Sequence, residues 1–158
     1  MIQYDEALNL AICRPEGVFE KNSADEMLGF LQAMETALST PFNRLLDLKG
    51  LLEIRLTGTD LYRIAKRRRS SAEKIPACRS AIFAPTLLTY AIAKIYEELM
   101  EGSNIQVGVF DDAKSTAKWL GLRLGCQTRI PERAEALRRN IRTILKAQRI
   151  PQRQHQGG

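Results

Sequence analysis

The side chains that most often perform catalysis are scarce in this sequence. The single histidine is His155, in the Gln-rich stretch 152–156. Without a second histidine, no Ser–His or Cys–His pair can form in the rest of the chain. The three cysteines, Cys13, Cys78 and Cys126, lack the close pairing of a metal site. We therefore expect a protein that binds rather than catalyses, with no metal and no cofactor.

Positive charge is concentrated near the carboxyl-terminal end. Residues 1–121 contain 15 Lys and Arg against 16 Asp and Glu, whereas residues 122–158 contain 9 against 2. The net charge of +6 therefore arises from the last segment and does not indicate a nucleic-acid site on the rest.

The basic run 66–69 is predicted to be the exposed end of a helix. A nucleic-acid patch there is the alternative, although no aromatic residues interleave for base stacking.

A basic amphipathic helix is predicted over residues 132–148. Its apolar side has helical spacing and comprises Ala134, Leu137, Ile141, Ile144 and Leu145. Its basic side comprises Arg138, Arg139, Arg142, Lys146 and Arg149. Such a helix can contact nucleic acid, an anionic membrane surface or an acidic partner. Alternatively, its apolar side docks on the domain or on a second copy of the chain, as in a homodimer.

Strand and helix patterns alternate along the first 121 residues. Apolar runs predict strands at 8–13, 44–48, 78–84 and 105–110, with a further short strand at 2–5 and strand character resuming at 18–19. Helical periodicity predicts helices from Ser23, from Thr57, after Pro85 and over 112–120. Alternation from residue 43 onward indicates parallel strands joined by right-handed crossovers, with a first hairpin that adds an antiparallel edge. We predict an α/β fold with a mixed sheet of four to five strands and about four covering helices, followed by the C-terminal amphipathic helix.

Two polar pairs and one single residue mark the predicted starts of three helices. Ser23 and Glu26 have the spacing of a capping box, and so do Thr57 and Asp60. Asp111 is the expected cap of the helix over 112–120.

These patterns divide the chain into three parts. Residues 1–121 are predicted to form the α/β domain, 122–150 a basic helical extension and 151–158 a disordered tail.

No apolar run approaches the roughly 18 residues that would span a bilayer. The first residues lack the basic and apolar regions of a secretory signal, so a cytoplasmic location is expected.

The second half of the domain resembles a STAS-like domain. The segments concerned are 79–84, 90–91, 94–97, 107–112 and 117–121. They include a strand that ends in Val109-Phe110-Asp111 and a helix that ends in Trp119-Leu120. The resemblance is to the STAS/Sec14-like branch, which is related to the anti-sigma-factor antagonists.

The resemblance implies a regulatory module that binds a protein partner near the start of the second predicted helix. In the antagonist family an Asp-Ser-Ser-Gly turn opens this helix and its serine is phosphorylated. Here Arg55-Leu56-Thr57-Gly58 stands in that place, so Thr57, with Thr59, is the implied switch or partner surface. The alternative is that Thr57 is simply an N-cap.

The Sec14-like side of the resemblance implies instead a small apolar ligand or lipid. Tyr90, Tyr96 and Trp119 would then line a cavity of at least ~300 Å³ between sheet and helices. The alternative for these aromatic residues is ordinary core packing. A solid core with an exposed Thr57 helix start would favour the protein-binding interpretation.

Overall fold

The computed structural model describes residues 1–38 and 40–122. Its strands are β1 (Ile2–Asp5), β2 (Leu10–Cys13), β3 (Gly17–Glu20), β4 (Asn43–Asp47), β5 (Leu51–Arg55), β6 (Cys78–Phe83) and β7 (Ile105–Phe110). Its helices are α1 (Lys21–Ala37), α2 (Gly58–Ala72), α3 (Leu87–Leu99) and α4 (Ala113–Trp119).

Five strands form the main sheet, in the order β1-β2-β4-β6-β7. β1 and β2 are antiparallel, and every other neighbouring pair is parallel. The predicted hairpin at one edge and the parallel crossovers from residue 43 onward are both confirmed. Because β4 and β6 run in the same direction, the segments that follow them leave from one edge of the sheet. We call this edge, with segments 48–52 and 84–88, the carboxyl edge.

The two faces of the main sheet are covered differently. Successive strand residues point to opposite faces, so Ile82 packs in the cluster with Ala93 of α3, while Ala81 packs with Leu120. Helix α1 packs on the same face as α3, through contacts of Leu31 with β2. The α/β fold with a mixed sheet and four helices is as predicted. Across the described residues, no helix is long and apolar enough to cross a membrane.

One strand was not predicted from the sequence. Residues 51–55 were expected to be part of a loop, but they form β5, which pairs in parallel with β3 as a separate two-stranded sheet. The sequence does carry a strand signal here, because Leu52, Ile54 and Leu56 alternate with Glu53 and Arg55. The strand exists because β3, over 30 residues earlier in the chain, supplies its hydrogen-bonding partner.

Two helix starts differ from their predicted positions. Helix α1 begins at Lys21 after the N-cap Glu20, which makes no side-chain cap hydrogen bond. The predicted Ser23–Glu26 capping box is therefore wrong, because Ser23 lies inside the first turn. The N-cap of α4 is Asp112 rather than Asp111, and its carboxylate accepts a hydrogen bond of 2.7 Å from the Ser115 amide.

The basic run at the end of α2 is not a uniformly solvated surface. Arg68 is 2% exposed, which corrects the prediction that 66–69 form an exposed helix end. Arg67 donates to Gln32 of α1, and Arg69 donates to the carbonyls of Leu99 and Glu101 at the end of α3. Three guanidinium groups of this run therefore hold α2 to the neighbouring helices, which weakens the case for a nucleic-acid patch.

The predicted C-terminal segments lie outside the described residues, apart from Leu122. This applies to the extension over 122–150, with Arg138, Arg139, Arg142, Lys146 and Arg149, and to the tail over 151–158. Their roles stay predictions.

Cys13 and Cys78 are buried free thiols, as expected from the apolar runs that contain them.

Candidate functional site

The start of α2 is an exposed capping box. The Thr57 hydroxyl accepts a hydrogen bond of 3.1 Å from the Asp60 amide, and the Asp60 carboxylate accepts from the Thr57 amide at 2.9 Å. The same carboxylate accepts from the Thr57 hydroxyl at 2.7 Å. The backbone and side-chain hydrogen bonds from Thr57 lower the pKa of Asp60. The capping box predicted from the sequence is confirmed.

This geometry bears on the implied phosphorylation of Thr57. Thr57 is exposed at the start of α2, but its hydroxyl already donates a hydrogen bond to Asp60. A phosphate on that oxygen would place up to two further negative charges against a carboxylate. Modification of Thr57 would therefore open the capping box and loosen the first turn of α2. Thr59 is also exposed in the first turn and makes no part of this box.

Large apolar side chains are exposed along the carboxyl edge. Leu87 is 88% exposed and Leu88 is 61% exposed, both in the first turn of α3, and Leu52 projects from β5. The backbone hydrogen bond from Leu48 to Phe83 joins the segments that follow β4 and β6. Leu52, Leu87 and Leu88 therefore belong to segments that leave one edge of the fold.

The three aromatic residues proposed as ligand-lining do not share one cavity. Tyr90 and Tyr96 pack on the Ile82 face of the sheet. Trp119 packs on the opposite face, with its ring centroid 5.9 Å from that of Phe110. Gly108 permits this packing, because a Cβ there would lie 2.9 Å from the Phe110 ring and 3.0 Å from Trp119.

The space between the sheet and α1, α2 and α3 is a cavity of about 90 Å³. Tyr96 lines it, whereas Tyr90 and Trp119 do not. Its volume is well below the roughly 300 Å³ at which drug-sized ligand pockets begin. A larger surface groove of about 670 Å³ lies between the N-terminus, the turn at 14–16 and α1, and none of the three aromatics lines it.

A buried ionic cluster adjoins this cavity, and sequence reasoning missed it. Glu35 of α1, with a side chain 7% exposed, forms ion pairs with Arg44 of β4 and Arg68 of α2. Arg68 also donates to the second Glu35 oxygen at 3.0 Å and to the Ser71 hydroxyl at 3.2 Å. Arg44 donates to the sulfur of Cys78. We call Glu35, Arg44 and Arg68 the arginine cluster.

The only sequence signal for this cluster is helical phase. Arg68 follows Leu61, Ile64 and Ala65 at spacings of seven, four and three residues, which places it on the apolar side of α2. That phase identifies a buried arginine, but nothing local to it identifies Glu35 as the partner. Among the described residues, no group of three or more His, Cys, Asp or Glu side chains is arranged to hold a metal ion.

Comparison with known proteins gives a likeness of fold. No family model and no curated protein matches the chain. Among solved structures, it is similar to an uncharacterised protein from Shewanella loihica PV-4, of the DUF3478 family and with a SpoIIAA-like fold. The identity is 17% and the TM-score 0.48, and the match covers 70% of this chain and 83% of that chain.

Proposed function

We propose that this chain is a non-catalytic regulatory or interaction module that binds a protein partner at its carboxyl edge. The observation that supports the proposal is the exposure of Leu52, Leu87 and Leu88 on the segments that follow β4 and β6. Isolated exposed leucines are ordinary on protein surfaces, but adjacent ones on one edge are a typical feature of interaction sites. Burial of these leucines by a partner would contribute most of the affinity.

The start of α2 supplies a means of regulating this surface. Thr57 and Thr59 are exposed, and we propose that the partner also contacts them, so a phosphate on either changes the charge that it meets. A phosphate on Thr57 also disrupts its bonds to Asp60. Thr57 is therefore the position at which modification changes both charge and local structure, whereas Thr59 changes charge alone.

A photo-crosslinking experiment on the full chain tests the surface. A benzophenone amino acid replaces Leu87 in one variant and Lys74, which is exposed near the amino-terminal start of β6, in a matched control. The proposal expects a defined crosslinked protein from position 87, and its loss when Leu88→Asp is added. Equal products from positions 87 and 74, or an unchanged product with Leu88→Asp, would contradict the proposal.

The internal cavity gives less support to the Sec14-like alternative, in which the chain binds a small apolar ligand or a lipid. A cavity of about 90 Å³ is too small for a lipid chain. The remaining alternative, contact with nucleic acid or an anionic membrane through Arg138, Arg139, Arg142, Lys146 and Arg149, stays a prediction. Its test is deletion of 122–158, which should abolish binding to DNA, RNA or anionic vesicles that weakens steeply with salt.

A further inference from the structure

The cavity beneath β5 has apolar walls and a polar end. Its apolar walls come from α1, α2, α3 and the sheet, and include Leu28, Ile64, Ile82 and Ala93. Arg44, Arg68, Tyr96 and Ser80 also line it. Apolar walls with a few polar groups are also features of larger small-molecule sites, and here they surround a space of about 90 Å³.

The polar end has an excess of positive charge. Glu35 supplies one formal negative charge against the two guanidinium groups of Arg44 and Arg68, which are 4% and 2% exposed. Arginine does not lose its proton in proteins, so the excess cannot be removed by titration. Burial raises the pKa of Tyr96, although the nearby Arg68 and Arg44 partly oppose this shift, so Tyr96 is neutral.

One donor at this end has no partner. The Arg44 Nε is buried and makes no hydrogen bond with the described residues. Buried guanidinium donors are normally satisfied, because leaving one unpaired loses the full cost of its desolvation. An anion in the cavity against Arg44 and Arg68 would neutralise the excess charge.

We propose that the cavity binds a short monocarboxylate, with its carboxylate on the arginine cluster and its alkyl chain against the apolar walls. The planar guanidinium group of arginine can donate two parallel hydrogen bonds to a carboxylate, whereas the ammonium group of lysine acts as a point charge. The volume of about 90 Å³ restricts the ligand to a short alkyl chain, because drug-sized ligands occupy pockets of roughly 300 Å³ or more. Acids of the size of propionate and butyrate fit this description, whereas fatty acids exceed it.

The outer wall of the cavity provides an entrance. Leu51, Ile54 and Leu56 line the cavity and are half-buried, and β5 contacts the main sheet through no strand pairing. A displacement of the β3–β5 sheet opens a path without breaking the five-stranded sheet. This binding site differs from the protein-binding surface proposed above, although β5 contributes Leu52 to that surface and Leu51 and Ile54 to the cavity.

The test uses the full chain and compares ligands of one size. Saturation-transfer NMR and calorimetry would measure binding of butyrate, butanol and butylamine, together with the series from acetate to octanoate. We expect butyrate to bind at least tenfold more tightly than butanol, butylamine not to bind, and affinity to fall beyond short chains. Equal binding of butanol and butyrate, or of chloride and butyrate, would overturn the proposal, and so would the absence of butyrate binding.

Two matched variants locate the site. Ala93 lines the cavity and Ala117 is equally buried on the other face of the sheet. Ala93→Val should weaken butyrate binding at least tenfold by filling the cavity, while Ala117→Val should leave it unchanged. Arg44→Lys keeps the charge but not the fork geometry and should lower the preference for butyrate over butanol. If Ala93→Val folds and binds butyrate as the original chain does, the assignment of the ligand to this cavity is wrong.

Discussion

The arginine cluster and the start of α2 are both small networks of charged and polar groups, but they differ in burial. Glu35, Arg44 and Arg68 lie between sheet and helices, whereas Thr57 and Asp60 meet solvent. In the exposed network, water can replace any bond that is lost. In the buried one it cannot, so each charge depends on its partner. The comparison separates a network that holds the fold together from one that is free to change when a partner binds.

Removal of the negative charge from the buried network should have the largest effect. Glu35→Gln leaves two buried guanidinium groups without a counter-charge, and we expect a loss of about 3–5 kcal/mol in the free energy of unfolding. Urea unfolding followed by circular dichroism measures it. The control is Asp25→Asn, which removes a more exposed carboxylate that pairs with Arg63 and Arg67. Equal losses from the two substitutions would show that burial does not decide the strength of these networks.

A buried ionisable side chain should also make the free energy of unfolding fall at high pH. Burial raises the pKa of the Cys13 thiol from 9.0 to about 12, partly opposed by the nearby Arg44. Its contribution is fully present below pH 9 and is lost as pH rises toward 12, because the unfolded chain then releases a proton that the folded chain retains. The slope reaches at most about 1.4 kcal/mol per pH unit.

Urea unfolding at pH 8, 9, 10 and 11 measures this slope, with Cys13→Ala as the comparison. The substitution lowers stability at every pH by removing a buried side chain, but it should flatten the decline above pH 9. An unchanged slope in Cys13→Ala would assign the decline to other groups, of which Tyr4 and Tyr96 also have a pKa raised mainly by burial.

The exposed network should give the smallest change. Thr57→Ala removes the N-cap and should cost about 1 kcal/mol, whereas Thr59→Ala, which lies outside the capping box, should cost less. Thermal unfolding of the two variants under identical conditions compares them. A larger loss from Thr59→Ala would contradict the role assigned to Thr57.

The two capping-box predictions show what a sequence pattern determines and what it does not. The Thr57–Asp60 capping box was predicted because its two residues are three positions apart, and its hydrogen bonds depend only on local backbone geometry. The Ser23–Glu26 pair has the same spacing but forms no box, because the chain enters α1 two residues earlier. The spacing indicates a helix start, and the preceding strand decides where the helix begins.

The sequence by itself determined the α/β class, the order of the main strands and helices, and the concentration of positive charge in residues 122–158. These follow from hydrophobic period, turn residues and charge counts, which are local or additive properties. Only the tertiary structure decided that Arg68 is buried, that β5 pairs with β3, and that Trp119 and Tyr96 lie on opposite faces of the sheet. Each of these depends on a partner distant in sequence, such as Glu35, which lies 33 residues before Arg68. Such partners meet only when the crossovers have set the order of the strands.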